Sequence, residues 1–433
     1  MVTSALIASE RQARETEAEL AELDVALSSE QTLKDIVSGL PSEVIEGIRR
    51  SLATERRELG EALEAYERTK GGDSSSLMKR AGNDPGALLV VARIVKRLSQ
   101  KELARKLGMP EQQIQRYEAE RYKSISLHRY QKVAHALGAK LSVDVGPPDD
   151  EWAFSYGAPS SEELSKVLRH ARGNGWLDGD EPDEKASSQL QRYVADHVQR
   201  HGTPSLLRTG LNVIDHAGDW ILLSWKAQVT RVAERVIEER RTVYRPIDVS
   251  WLINLVRLSQ YDDGPIRARD LLLEHGIVLI VEPHVVGMKV DGAAFLVDGV
   301  PVIGMTMLRD TIDNFWFTLI HEVAHIVLHY RTGLAAGFFD DMSLSDHETS
   351  ADVSEMEREA NDFAGNLLIP NEVWTRSPAR ISRTSEPVEK LARQLGIHPA
   401  IIFGRIRMER NDFSQFSNKI GRGLVRAQLM PRR

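Results

Sequence analysis

The chain has 433 residues, 42% hydrophobic and 27% charged, an ordinary globular composition long enough for two to four domains. It contains no cysteine, which excludes disulfides and thiolate metal sites and leaves His and carboxylate side chains to bind any zinc. Net charge is −7 but unevenly spread: residues 1–70 hold 9 Lys and Arg against 15 Asp and Glu, whereas residues 87–146 hold 12 against 5. A basic island in an acidic chain points to a polyanionic partner. The first thirty residues lack the apolar segment of a signal peptide, and no apolar run approaches eighteen residues. These features predict a cytoplasmic chain with no membrane partner.

In chain order, residues 1–70 read as a helical arm. Val44, Ile45, Ile48, Leu52, Leu59 and Leu63 recur at three-, four- and seven-residue spacing, the period of a helix face. Gly39 and Pro41 break the stretch into a pair. The arm packs on a neighbour or serves dimerisation. Gly71-Gly72-Asp73-Ser74-Ser75-Ser76 has linker composition, so 71–84 is predicted to be a linker.

Residues 85–146 carry the basic island. Ser99 and Glu102 form a capping box, and the helix they open runs through Leu103, Ala104 and Leu107 to Gly108, a C-cap residue. Pro110 starts a second helix with Ile114 turned inward and Gln112, Gln113, Gln115 and Arg116 outward. Two short helices joined at a glycine, the second rich in amide and guanidinium groups, predict a helix-turn-helix. Gln reads adenine and Arg reads guanine through paired hydrogen bonds. Gln100 and Lys101 at the start of the first helix, with Arg105, Arg121 and Lys123, complete the expected DNA-binding set. A third helix over 126–137 closes the bundle. The run Gln113-Ile114-Gln115-Arg116-Tyr117-Glu118-Ala119 resembles the XRE-type helix-turn-helix of phage repressors, in the version found in HigA-like antitoxin regulators. Met109 departs from it, standing where such helices usually carry a Ser or Thr cap. The resemblance implies a double-stranded DNA operator bound by a homodimer through two half-sites.

Residues 139–145 suggest a short strand, and Gly146-Pro147-Pro148-Asp149-Asp150 a second linker. Residues 150–260 read as a mostly helical connector that packs on the C-terminal domain. It has one helix over 222–241, and Trp220, Trp225 and Trp251 are core residues. From 261 the pattern changes. Ile277-Val278-Leu279-Ile280-Val281 reads as a strand, and Asp298-Gly299 joins two more as a hairpin. A helix over 314–330 comes next, apolar almost all round and so predicted to be buried. It contains His321-Glu322-Val323-Ala324-His325. Two imidazoles four residues apart lie one turn above each other and can bind one Zn²⁺, with Glu322 in reach of a water on it. His329, a turn further on, reads as a helix-end residue rather than a ligand.

A catalytic zinc needs a third protein ligand. A helix over 354–368 has an apolar stripe of Met356, Ala360, Phe363, Ala364 and Leu367, with Glu357 and Glu359 on opposite borders. Periodicity does not choose between them, and His347 and Asp352 are further candidates. The run from Asp313 to His325, with Glu359-Ala360-Asn361-Asp362-Phe363-Ala364 and Leu367-Leu368-Ile369-Pro370 after it, resembles the ImmA/IrrE family of metallo-endopeptidases. That resemblance implies Glu359 as third ligand beside His321 and His325, Glu322 as the catalytic base, and a protein substrate that is a repressor or another regulator. The whole order resembles fusions of an XRE-type regulator to such a peptidase. Some of these are HigA-like antitoxins, which implies an alternative: a repressor that binds DNA and a cognate toxin, with a non-proteolytic zinc module. Residues 394–408 read as a helix pair packing the zinc domain, and 409–433 as polar and helical with a basic tail. The expected architecture is mainly α with a small sheet (α+β): helical arm, helix-turn-helix bundle, helical connector, and a zincin-like peptidase domain over 261–433.

Overall fold

The computed structural model describes residues 6–28, 37–82, 84–119, 121–122, 125–139, 159–177, 182–201, 207–208, 216–330, 334, 338–341 and 351–430. The fold is mainly α with one small sheet. It divides into two compact units, Met1–Leu33 with Leu52–Ser155, and Lys34–Ser51 with Tyr156–Arg433. None of the described helices is long and apolar enough to cross a membrane.

The first unit is helical. It contains α1 (Glu10–Ser28), most of α2 (Ser42–Gly71), α3 (Ser75–Ala81), α4 (Pro85–Val95), α5 (Gln100–Leu107), α6 (Glu111–Ala119) and α7 (Leu127–Leu137). Asp84 caps α4 by accepting from the amides of Gly86 and Ala87. The Ser99–Glu102 capping box is formed on α5, and Gly108 ends that helix at φ 65°, the left-handed conformation a C-terminal glycine tolerates. Ala62, Ala65 and Tyr66 of α2 share one core with Leu103, Ile114, Tyr117 and Val133 of the helix-turn-helix. The segment 71–84 is therefore not the linker its composition suggests. Gly72 (φ 108°) turns the chain, α3 comes at once, and its Leu77 is fully buried in that same core. The strand expected over 139–145 and the linker over 146–150 lie, beyond Ala139, outside the described residues.

The second unit holds α8 (Ser161–Gly173), α9 (Asp183–His201), β1 (Leu207–Arg208), α10 (His216–Arg240), α11 (Leu252–Arg257), α12 (Gly264–Glu274), β2 (Val278–Val281), β3 (Val290–Val297), β4 (Val300–Met305), α13 (Ile312–His329), β5 (Phe338–Asp341), α14 (Ala351–Leu368), α15 (Asn371–Arg376), α16 (Glu386–Leu395), α17 (Pro399–Glu409) and α18 (Arg426–Leu429). The sheet order is β1-β5-β3-β4-β2. β3 and β4 are antiparallel with Val297 opposite Val300, so Asp298 (φ 49°) and Gly299 (φ 81°) form the two-residue hairpin turn. β2 joins β4 in parallel. One face of the sheet carries α10: Trp225 and Val229 pack with Ala293, Phe295 and Val302. Gly304 makes the room, since a Cβ there would lie 2.6 Å from the Trp225 ring. Trp220, Trp225 and Trp251 are all buried, as expected of core residues. The other face carries α13, flanked by α14 and α17. Residues 410–430 are mostly turns rather than the helix expected, because Asn411, Phe416, Gly421 and Gly423 adopt positive φ and interrupt it.

Candidate metal centre and nucleic-acid interface

The second unit positions α13 at both ends. The amide of Ile312 donates to the Ile420 carbonyl at 2.9 Å, and Arg407 of α17 lies 3.5 Å from Asp313. Gly404 lets α17 approach, since a Cβ there would sit 2.7 Å from Asp313 Cβ. At the far end Ser51 donates to the Leu328 carbonyl at 2.6 Å. Fixed in this way, α13 turns His321, Glu322 and His325 inward, each 2% exposed or less.

The two imidazoles meet through their Nε2 atoms at 3.0 Å. α14 brings Glu357 to both: Oε2 is 3.2 Å from His321 Nε2 and Oε1 is 3.4 Å from His325 Nε2. His321, His325 and Glu357 are the metal-competent group among the described residues, their ligand atoms within 4.8 Å of one another. The expectation of Glu359 as third ligand is corrected here. Glu359 sits two positions on, 3.7 Å from His329 Nε2, and is absent from that group. Residues two apart on a helix point roughly 200° away from each other, so only one of the two glutamates faces the pair. His347 lies outside the described residues, and of Asp352 only its place in α14 is described.

The donor set fits a small divalent cation. Donors about 2.0–2.1 Å from a tetrahedral zinc lie about 3.3 Å from one another. The two imidazole nitrogens are 3.0 Å apart, and each has its own Glu357 oxygen within 3.4 Å, Oε2 for His321 and Oε1 for His325. Protonation fits as well. Burial holds His325 below its ordinary value and so keeps it neutral. For Glu357 burial pulls upward, but hydrogen bonds with His321 and His325 outweigh it and hold the carboxyl well below the usual range. Neutral imidazoles and an ionised carboxylate are the forms that bind metal. Burial and the neighbouring His325 push His329 down to about 3, so it too is neutral.

Glu322 is fully buried between the two histidines in sequence and packs on β3. A Cβ at Gly292 would lie 2.6 Å from Glu322 Oε1 and 2.7 Å from Thr318 Cγ2. Only glycine leaves the Glu322 carboxylate its place there. This residue was not singled out from the sequence, although a glycine inside a strand signals close approach of another group.

In the first unit Lys101, Arg105, Gln112, Gln115 and Arg116 are exposed along α5 and α6. Three more of the expected DNA contacts are half-buried and tied into the fold. Gln100 donates to Glu118 at 2.9 Å, Gln113 to the Tyr117 hydroxyl at 2.6 Å, and Arg121 to Asp84 at 3.3 Å. Beneath them Arg93 pairs with Glu118 at 2.5 and 2.7 Å and donates to the Leu98 carbonyl at 2.7 Å and to the Ala8 carbonyl. Both partners are buried. Ile114 is fully buried, as the inward position requires. Lys123 lies outside the described residues.

Comparison with known proteins locates two families in the chain. Residues 92–143 match a model described as helix-turn-helix. Residues 274–406 match the model of a metallopeptidase family, described as the IrrE N-terminal-like domain. That second match spans both histidines, Glu322 and Glu357. No curated protein and no solved structure matches the chain.

Proposed function

From a chain that joins a helix-turn-helix domain to an IrrE N-terminal-like domain, we propose a cytoplasmic DNA-binding regulator that is also a zinc-dependent endopeptidase. Its substrate is another regulatory protein, and two copies bind the two half-sites of an operator. The observation that carries the enzymatic reading is the convergence of His321, His325 and Glu357 within 3.0–3.4 Å beside the buried Glu322.

His321, His325 and Glu357 would hold the cation. When bound, zinc supplies Lewis acidity to a scissile carbonyl and lowers the pKa of a water to about 7. Glu322 takes the proton of the attacking water and delivers it to the departing amine, so the C–N bond breaks with a carboxylate and an amine as products. α13 and β3 close around Glu322 and keep bulk water from its carboxylate. On the other unit Arg116, Gln112 and Gln115 offer the guanidinium and amide groups that read base edges, and Lys101 a phosphate contact.

The test pairs metal content with turnover. Wild type and Glu322→Gln are incubated, zinc-loaded, with purified candidate regulators. Both proteins are expected to carry about one zinc per chain, while the substitution lowers cleavage by a factor on the order of 10²–10⁴. Zinc bound with no Glu322-dependent cleavage of any candidate contradicts the enzymatic reading.

A further inference from the structure

The strand nearest the candidate centre is β3, through Gly292. One of its edges pairs with β4. The other is the edge along which an extended peptide would add as a new strand, giving main-chain hydrogen bonds beside the general base. That edge is taken by the chain itself. β5 pairs antiparallel with β3, Ala294 opposite Phe338, Ala293 opposite Phe339 and Gly292 opposite Asp340. The residue that touches Glu322 thus faces the backbone of Asp340 across one strand spacing, about 4.8 Å. The register shifts between Val290 and Gly292, so Asp291 is the extra residue of a bulge placed beside the centre. β1 then pairs in parallel with β5, covering its outer edge.

β5 comes from the connection between α13 and α14, the two helices that supply the histidines and Glu357. Its four residues, Phe338-Phe339-Asp340-Asp341, are short for a strand. A four-residue strand held on one side by a two-residue strand is cheap to release.

We propose that β5 is a built-in occupant of the peptide-binding edge of β3, and that a substrate segment enters only when β5 leaves. This rests on the peptidase reading above and deepens it: the peptidase is restrained by its own chain. A substrate then competes with a tethered strand, and its apparent affinity falls by the fraction of time the edge is free.

The test reads binding, so it stands apart from catalysis. A labelled synthetic peptide copying residues 336–343 is titrated by fluorescence anisotropy into the full chain. Three proteins are compared: wild type, Phe338→Pro/Phe339→Pro, and Ala293→Cys/Phe339→Cys. Adjacent residues of a strand point their amides to opposite sides, so the two prolines remove the donors on both edges of β5. The paired cysteines stand at directly opposite positions of the register, and the chain has no native cysteine to interfere. The prolines are expected to tighten peptide binding at least about tenfold. The cysteine pair is expected to oxidise to a disulfide that abolishes binding, and reduction to restore the wild-type level. Failure of the disulfide to form overturns the proposal whether or not the proline variant folds, as does equal peptide affinity in folded wild type, proline variant and oxidised chain. If these shifts appear and no regulator is cleaved, the peptidase reading fails while β5 remains the occupant of the edge.

Discussion

Glu357 and Glu359 flank the same apolar stripe on α14, and nothing in residue spacing separates them. Only the packing of α14 on α13 does, by turning Glu357 to His321 and His325 and Glu359 toward His329. The histidine pair itself was legible, because two imidazoles four apart on a buried helix are a local pattern; the third ligand depends on how two helices meet. Glu357→Ala is expected to lose stoichiometric zinc in a metal assay of the dialysed protein, while Glu359→Ala keeps about one zinc per chain. A second prediction concerns His170 on α8. Burial, then the nearby His284, lowers it to about 4 from an ordinary 6.5. The folded pKa lies below the unfolded one, so the unfolded chain takes up the proton first as pH falls. The stability present above pH 6.5 is lost between about 6.5 and 4, on the order of 2 kcal/mol after allowance for partial exposure. In thermal melts His170→Phe should flatten that acid limb; an unchanged pH profile would show that His170 does not contribute.

Elements read best where their signals are local. The capping box of α5, the glycine ending it and the Asp298-Gly299 turn were all visible, because each rests on residues within four positions. The segment 71–84 misled, because Gly and Ser dominate its composition while Leu77, which decides its fate, needs a core built from distant helices. The tail after α17 misled although cues were present: Asn411, Gly421 and Gly423 are residue types that accept positive φ, and all three adopt it, while Phe416 does so without such a cue. The buried Arg93–Glu118 pair joins α4 to α6 and, through Gln100, to α5. Removing one partner of such a pair leaves an uncompensated buried charge. Glu118→Ala should therefore cost about 3–5 kcal/mol in urea unfolding of the full chain, with loss of DNA binding. A cost below about 1 kcal/mol would mean that the pair does not hold the helices together.

At the scale of the whole molecule, one chain carries a helical unit with a basic island over 87–146 and a unit built around a metal-competent site. The uneven charge foretold the first, and the His321–His325 pattern the second. The domain limits were less legible, since Ile7, Ala13, Ala62 and Tyr66 share a core with the helix-turn-helix, and Val167, Leu190 and Trp225 share one with the sheet. For the helix-turn-helix, Lys101→Ala should weaken DNA binding at every sequence and reduce the salt slope by about 1, whereas Arg116→Ala should relax sequence preference. Band-shift titrations at several salt concentrations distinguish the two, and identical effects would place neither residue as assigned. For the site, the most direct measurement is a crystal of the full chain soaked in zinc, with anomalous data collected at the zinc edge. The account predicts one strong peak bounded by His321 Nε2, His325 Nε2 and a Glu357 carboxylate oxygen, each at about 2.0–2.2 Å. A peak bounded by Glu359 instead, or no peak between the two imidazoles, would contradict it.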